Sequence, residues 1–303
     1  MPTPNAKPRV AIATYAGRTP LRSDDLPLLA ELEARGISPA PLVWDDGDSD
    51  WSGFDACLIR SVSDYNEKYE AFSRWVEEVG DRVTLWNSPA MTMWNAEKHY
   101  LRDLARNGVP TIPTVWLEPG DETELDEVLS SRGWDDAIVK PVIGLGARLL
   151  HRVCRKEGGR RQLNELLEHH AVLVQPFLRS VPEQGETSLV YIDGRLSHTV
   201  RKRPASGDFR VQKERGGTSE RCEPTPAERS VAELAITTLD STPMHARVDL
   251  VAGDDGAPLL IELELIEPDL FLRHEPEAAG RLAQAMASRL SSVSGEELDP
   301  LNL

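Results

Sequence analysis

The chain has 303 residues, 40% of them hydrophobic and 28% charged, enough apolar material for two or three globular domains. Acidic residues outnumber basic ones by 50 to 34, and the net charge of −16 disfavours a nucleic-acid backbone or an anionic membrane surface as partner. No apolar run reaches bilayer-spanning length, residues 1–8 lack the apolar core of a secretory leader, and Cys57, Cys154 and Cys222 are odd in number and far apart. A cytoplasmic protein with reduced thiols and no structural zinc is expected.

Residues 9–14 read as a buried first strand, followed by a helix over 24–35 with Gly36 as its stop. Apolar segments at 41–44 and 56–59, a helix over 65–79 and a strand over 83–86 continue the alternation. In that helix Tyr65, Tyr69, Phe72 and Val76 form one stripe. This rhythm predicts a small open α/β domain with a largely parallel sheet over residues 1–92. The acidic turn at 45–50 lacks an EF-hand pattern and reads as a solvated loop. From residue 112 the pattern changes to strands at 114–117, 137–140, 149–153 and 172–175, with helices over 122–132 and 161–169. These give a compact α+β unit within a central region of 93–178. A hairpin (187–192 and 195–202, turning at Asp193-Gly194), a helix over 226–239, a second hairpin and a last helix over 276–290 fill residues 179–303.

The second hairpin carries the chemistry. Its strands run over 246–251 and 259–266, with a Gly-Asp-Asp-Gly turn signal at 253–256. Strand alternation puts Arg247 and Asp249 on one face, and Glu262 and Glu264 on one face of the partner. In the obvious register Asp249, Glu262 and Glu264 converge, with Glu267 just beyond. Two like charges about 4 Å apart repel by roughly 4 kcal/mol at an effective dielectric near 20. Such a group needs a compensating cation, and hard oxygens on rigid strands suit Mg²⁺ carrying substrate phosphates. Acids on a solvated sheet face would be the plainer explanation, but Leu, Ile and Val fill the positions between them.

Phosphate contacts have three candidate sources. Lys98 begins a helix reaching about residue 106. Lys140 ends a strand before Pro141, and Gly144-Leu145-Gly146-Ala147 follows, able to lay backbone N–H groups against an anion. Neither a Walker A loop nor Gly-x-Gly-x-x-Gly is present. The strand ending in Gln175-Pro176-Phe177-Leu178, with Glu183 and Glu186 beyond it, offers main-chain groups for an adenine edge and acids for ribose hydroxyls; a domain hinge would look the same. Arg203 and Arg210 flank the loop after Lys202, and their planar forks suit carboxylate or phosphate oxygens.

In chain order these motifs resemble the ATP-grasp superfamily of carboxylate–amine ligases, over roughly residues 85–290. The likeness is nearest to glutathione-synthetase-like and RimK-like members, and within them to the branch containing the ligase that closes the ring of D-cycloserine. It rests on Leu-Trp-Asn-Ser-Pro (85–89), Trp-Asn-x-x-Lys (94–98), Lys-Arg-Pro-Ala-x-Gly-Asp-Phe-Arg-Val-Gln (202–212) and Glu-Leu-Glu-Leu-Ile-Glu-Pro (262–268). The resemblance implies an α/β and α+β, three-domain ATP-grasp fold: an N-terminal open α/β domain, a central lid and a C-terminal catalytic domain, with ATP between the last two. It further implies that Lys98 and Lys140 contact phosphates beside Gly144 and Gly146. Gln175, Pro176, Phe177 and Leu178 would frame adenine, and Glu183 or Glu186 would meet ribose. Asp249, Glu262 and Glu264 would bind Mg²⁺ (or Mn²⁺), and Arg210, Arg247 and Lys140 would serve catalysis. Two departures stand out. Many superfamily members have Glu-x-Asn where this chain has Glu262-Leu263-Glu264. The branch often carries Ser-Thr-Trp-Asp-Tyr where Ser61-Val62-Ser63-Asp64-Tyr65 stands here.

The implied activity is an ATP-dependent ligase working through an acylphosphate on a small amino-acid-like substrate, with ring closure of an O-ureidoserine type as one outcome. A RimK-like ligase extending a peptide or protein, and a non-catalytic ATP-binding module, are the alternatives. The class also admits a homodimer.

Overall fold

An apolar run over Arg9–Thr14 forms β1, the centre of a sheet ordered β2-β1-β3-β4, with β2 at Ser38–Val43, β3 at Ala56–Ser61 and β4 at Thr84–Trp86. All its pairings are parallel. The computed structural model describes residues 7–155 and 160–294. In β1, Val10 and Ile12 face one layer and Ala11 and Ala13 the other, so the strand is covered on both sides. On the second face α2 (Tyr69–Gly80) packs Phe72, Trp75, Val76 and Val79; on the first, α1 (Leu26–Ala34) packs Leu28 and Leu32. That first layer is completed from the far end of the chain. Ala278, Leu282, Ala283 and Met286, on the helix Glu277–Ser294, join the same apolar cluster.

After β4 come α3 (Pro89–Ala96) and α4 (Tyr100–Arg106), the first of them absent from the expected elements. Ser88 caps α3 by accepting a hydrogen bond from the Met91 amide, and Pro89 starts it, a helix-start signature. A second sheet, ordered β5-β8-β6-β7, is antiparallel: β5 is Val115–Leu117, β6 Asp136–Pro141, β7 His151–Cys154 and β8 Val172–Pro176. Helices α5 (Leu125–Arg132) and α6 (Arg160–Leu167) close its core.

The short α7 (Ser180–Gln184) leads into the third sheet, also antiparallel. It contains β9 (Glu186–Ile192), β10 (Arg195–Arg203), β11 (Thr218–Cys222), β12 (His245–Ala252) and β13 (Pro258–Glu264), in the order β11-β10-β9-β12-β13. Between β11 and β12 lies α8 (Pro226–Thr237), begun by a capping box between Thr225 and Glu228. The final helix, α9, is the one already placed against the first sheet. One face of the third sheet buries Leu189, Tyr191, Ala246, Val248 and Leu263 under α3, α4 and α8.

The range 93–178 expected as one lid therefore spans two packing environments. Tyr100, Leu101 and Leu104 of α4 belong to the core of the third sheet, whereas β5 to β8 make their own core. Two asparagines tie the preceding segment to the same sheet. Asn95 donates to the Leu263 carbonyl (2.8 Å) and accepts from the Leu265 amide (2.7 Å). Asn87 bonds the His245 and Leu265 carbonyls and the Met244 amide. Side-chain amides thus satisfy main-chain groups along and beyond β12 and β13, fixing α3 to that sheet.

Candidate active site

The other face of the third sheet is polar and looks onto a cavity of about 960 Å³. Antiparallel register sets Arg247 opposite Glu264 and Asp249 opposite Glu262, with a bulge after Asp249. One oxygen from each of Asp249, Glu262 and Glu264 lies within 4.8 Å of the others. The expected convergence is real.

Four basic groups balance this wall. Arg247 Nε reaches both Asp249 oxygens at 3.0 and 3.2 Å, and its Nη2 bonds Asp249 Oδ2 at 2.9 Å and also Glu264. Lys202 Nζ sits 2.9 Å from Asp249 Oδ2 and 2.8 Å from Glu186 Oε2. Lys98 Nζ lies 3.2 Å from Glu262 and donates to the Gly144 carbonyl at 2.7 Å, tying the glycine loop to the acids. Lys140, only 8% exposed, has no ion-pair partner within 4 Å among the described residues.

Charge states follow from this geometry. Burial opposes ionisation of Asp249, but Arg247 and Lys202 outweigh it and hold the carboxyl below its usual range. Burial likewise opposes Glu262, which Lys98 and Lys140 pull down. For Glu264 burial wins over Arg247, and the neighbouring Glu262 and Asp249 add to it, raising the group to about 7. Burial drives Lys140 down to about 8, against the pull of Glu262. Lys202 is raised despite its burial, because Asp249 and Glu186 face it.

Glu186 is placed by a glycine. Gly185 has φ +85°, and a Cβ there would stand 2.0 Å from the Lys202 carbonyl, so only glycine lets β9 start flush against β10. That pairing sets Glu186 directly opposite Lys202.

Most expected site residues meet around this cavity. Lys98, Lys140, Gly144, Gly146, Glu186, Arg247, Asp249, Glu262 and Glu264 all line it. An adjoining apolar recess is lined by Gln175, Pro176, Phe177 and Leu178, together with Ile112, Phe209 and Val211; Lys140 and Glu186 line both spaces. The Gln175 side chain does not serve the recess as a free group, since its amide donates to Thr114 at 3.0 Å.

Two expected residues stand apart from the rest. Glu183 is exposed on α7 and lines neither space, because the short helix turns it outward. Arg210 lines the recess but not the carboxylate cavity. Asp208, two residues earlier, takes its Nε and Nη2 at 3.0 and 2.9 Å, a local partner that satisfies the guanidinium within its own loop.

Sequence reasoning passed over Lys202 as a site residue. Its signal was available: in a β9–β10 hairpin it is the residue paired with Glu186. It also passed over Ser188, whose hydroxyl donates to Asp249 at 2.6 Å, and over Arg22, which reaches Glu267 from a loop without periodicity.

These features are those of an ATP-grasp ligase: an acid-bearing hairpin facing two lysines and a glycine loop, with an apolar recess alongside. Comparison with known proteins agrees. Residues 10–87 match the family described as D-cycloserine synthetase DcsG, N-terminal domain, and residues 113–255 the prokaryotic glutathione synthetase ATP-grasp domain. The cycloserine biosynthesis protein DcsG of Streptomyces lavendulae is 33% identical over 93% of this chain and 98% of its own length. A glutathione synthetase of Bradyrhizobium diazoefficiens is 24% identical over 72% of this chain and 66% of its own. The crystal structure of D-cycloserine synthetase DcsG superposes with a TM-score of 0.85 at 32% identity, covering 93% of this chain and 99% of that one. A Bacillus anthracis D-alanine–D-alanine ligase complexed with ATP shares the fold at a TM-score of 0.71 and 16% identity, covering 97% and 100%.

The chain belongs to the DcsG family of ATP-grasp ligases and is an ATP-dependent carbon–nitrogen ligase. No helix among the described residues is long and apolar enough to cross a membrane.

Proposed function

We propose that this ligase activates the carboxylate of a small amino-acid-like molecule with ATP and closes it onto a nitrogen of the same molecule, as an O-ureidoserine cyclo-ligase would. One arrangement carries the reading: three carboxylate oxygens within 4.8 Å of one another, on the wall of a cavity that Lys98 and Lys140 also line. Full-length similarity to a protein named for cycloserine biosynthesis supports a substrate of that kind.

In this reading Lys98 and Lys140 neutralise phosphate charge, and the Gly144–Gly146 backbone lies against the phosphates. Residues 175–178 frame the adenine, and Glu186 takes a ribose hydroxyl. Asp249, Glu262 and Glu264 are a hard-oxygen set that fits Mg²⁺, and Mn²⁺ equally. An ion bound there supplies charge neutralisation of the phosphates. A substrate carboxylate oxygen attacks the γ-phosphorus, the bond to the β-phosphate oxygen breaks, and ADP leaves. The nitrogen then attacks the acyl carbon, phosphate departs and the nitrogen loses its proton. Arg247, anchored by Asp249 and Glu264, presents its cation to the oxygen on which negative charge collects. An acylphosphate hydrolyses readily, and the loop over 144–150, which borders the cavity, is the segment placed to shield it. Arg210, which lines the recess and is paired with Asp208, stands ready to steady the transferring phosphoryl group.

The test is phosphate release with ATP, Mg²⁺ and a panel of O-ureidoserine, other ureido and hydroxylamine derivatives, and amino acids. Release that needs a member of the panel, and that is abolished by Lys140→Ala and by Glu262→Gln in folded protein, is expected. Near-normal turnover in both variants overturns the site assignment. Release only with a peptide acceptor favours the RimK-like alternative.

A further inference from the structure

The segment 144–150 joins β6 to β7 of the second sheet, yet its contacts lie elsewhere. Among the described residues its hydrogen bonds are one internal turn, from the Arg148 amide to the Leu145 carbonyl at 3.2 Å, and one from the Lys98 ammonium to the Gly144 carbonyl at 2.7 Å. Neither of them returns to the second sheet. Gly146, Ala147 and Leu149 all have left-handed backbone, with φ of +63°, +55° and +55°. For the two that carry a Cβ this conformation is unfavourable, so something outside the loop must hold it.

Two side chains reach from the loop to the first sheet. Leu145 packs against the apolar cluster on the α2 face of that sheet, the one containing Tyr65, Phe72 and Ile266. The Arg148 guanidinium forms an ion pair with Glu67, and both side chains are more than half exposed. Glu67 and Tyr65 belong to one segment, 62–68, between β3 and α2. This segment is firmly braced. Turn bonds run from the Tyr65 amide to the Val62 carbonyl (2.9 Å), from Glu67 to Asp64 (3.1 Å) and from Lys68 to Tyr65 (3.2 Å). Asp64 accepts from Trp44 Nε1 at 2.8 Å and from Lys68 Nζ at 2.7 Å, and Ser63 receives Arg22 at 2.8 Å. A strained loop without ties to its own sheet thus rests on a rigid turn of another. Ser63, Asp64 and Glu67 of the turn line the cavity, as do Gly144 to Arg148 of the loop.

We propose that the 62–68 turn is the seat of the glycine loop, and that Leu145, Arg148 and Glu67 are positioning residues that hold the loop's backbone at the phosphate side of the cavity. This deepens the ligase reading and rests on it. The first sheet, rather than the second sheet that bears the loop, then decides how tightly a nucleotide is covered. The ion pair is exposed, so its share of the hold is small, and the apolar contact of Leu145 carries more.

The experiment is a charge-swap cycle read by calorimetric titration with AMP-PNP and Mg²⁺. Its members are wild type, Glu67→Arg, Arg148→Glu and the variant carrying both, each checked for folding by circular dichroism. A charge changed near the cavity alters nucleotide affinity by itself, but the swap restores the net charge, so the cycle isolates the pair. The expected affinity of the double variant is about two- to five-fold better than the two single changes predict when combined. Leu145→Ala should weaken AMP-PNP binding about fivefold. A second readout follows the loop directly. Trypsin cleavage after Arg148, mapped by mass spectrometry in nucleotide-free enzyme, should run about two- to five-fold faster in Glu67→Gln than in wild type, since cleavage tracks the population of the open loop. Cleavage elsewhere in the chain should stay the same, which separates release of the loop from a general loosening of the fold. Additive effects in the cycle, unchanged affinity in Leu145→Ala, or an unchanged rate at Arg148 in Glu67→Gln overturns the proposal. Wild-type protein that binds no AMP-PNP would instead refute the ligase reading, and the trypsin comparison would still decide the seat.

Discussion

Lys202→Met is the most informative single change to the acidic wall. Its ammonium bridges Asp249 at 2.9 Å and Glu186 at 2.8 Å with 8% of the residue exposed. At those separations and an effective dielectric near 20, each attraction amounts to roughly 6 kcal/mol gross. Desolvation of the ammonium offsets much of that sum, so the whole is never realised as net stability. Removing one member of a buried ionic group nevertheless strands the others, and the usual loss is about 3–5 kcal/mol. Met keeps the length of the side chain and removes the charge, which separates electrostatics from packing. Urea denaturation of wild type and variant measures the difference, expected at about 3–5 kcal/mol. Adding Mg²⁺ and AMP-PNP should recover part of it, since a ligand that binds only the folded form stabilises it by mass action and the metal supplies cationic charge to Asp249. A loss below about 1 kcal/mol would refute the reasoning, for Lys202 would then behave as an exposed ion-pair partner does.

Two further outcomes follow from the same wall. Lys140 must be protonated to neutralise a phosphate, and burial lowers it to about 8, so it is charged below that pH and neutral above it. The kcat/KM for ATP, which reports the free enzyme, should therefore fall about tenfold per pH unit above about pH 8, and Lys140→Arg should move that limb upward; an unchanged limb in the arginine variant removes Lys140 as its cause. Asn95→Ala leaves the Leu263 carbonyl and the Leu265 amide without their side-chain partner in a buried place. A loss of about 2–4 kcal/mol in denaturation is expected, with the KM for ATP unchanged in the folded fraction.

The hairpin of acids was legible because strand alternation is strict. Once Asp249 and Glu262 are taken as paired, Val248–Leu263 and Arg247–Glu264 follow, and the structure has that register up to the bulge after Asp249. The parallel first sheet was legible for a similar reason, with β1 found over Arg9–Thr14 as expected. What was not legible depends on contacts distant in sequence. Nothing in Glu277–Ser294 announces that its apolar face completes the core of the first sheet. The asparagines at 87 and 95 read as parts of motifs, yet their work is to satisfy main-chain groups some 160–180 residues away. Arg210 was legible as a cation of the loop but not by its partner: in the structure Asp208, two residues earlier, takes its Nε and Nη2. Glu183 and Glu186 could not be ranked without knowing that a helical turn separates them.

Titration of Mn²⁺ by electron paramagnetic resonance, with AMP-PNP present, tests the carboxylate site without needing a substrate. Wild-type protein should bind the ion, Asp249→Asn and Glu262→Gln should each weaken binding by tenfold or more, and Glu183→Gln should leave it unchanged. Undiminished Mn²⁺ binding in both acid variants would contradict the account.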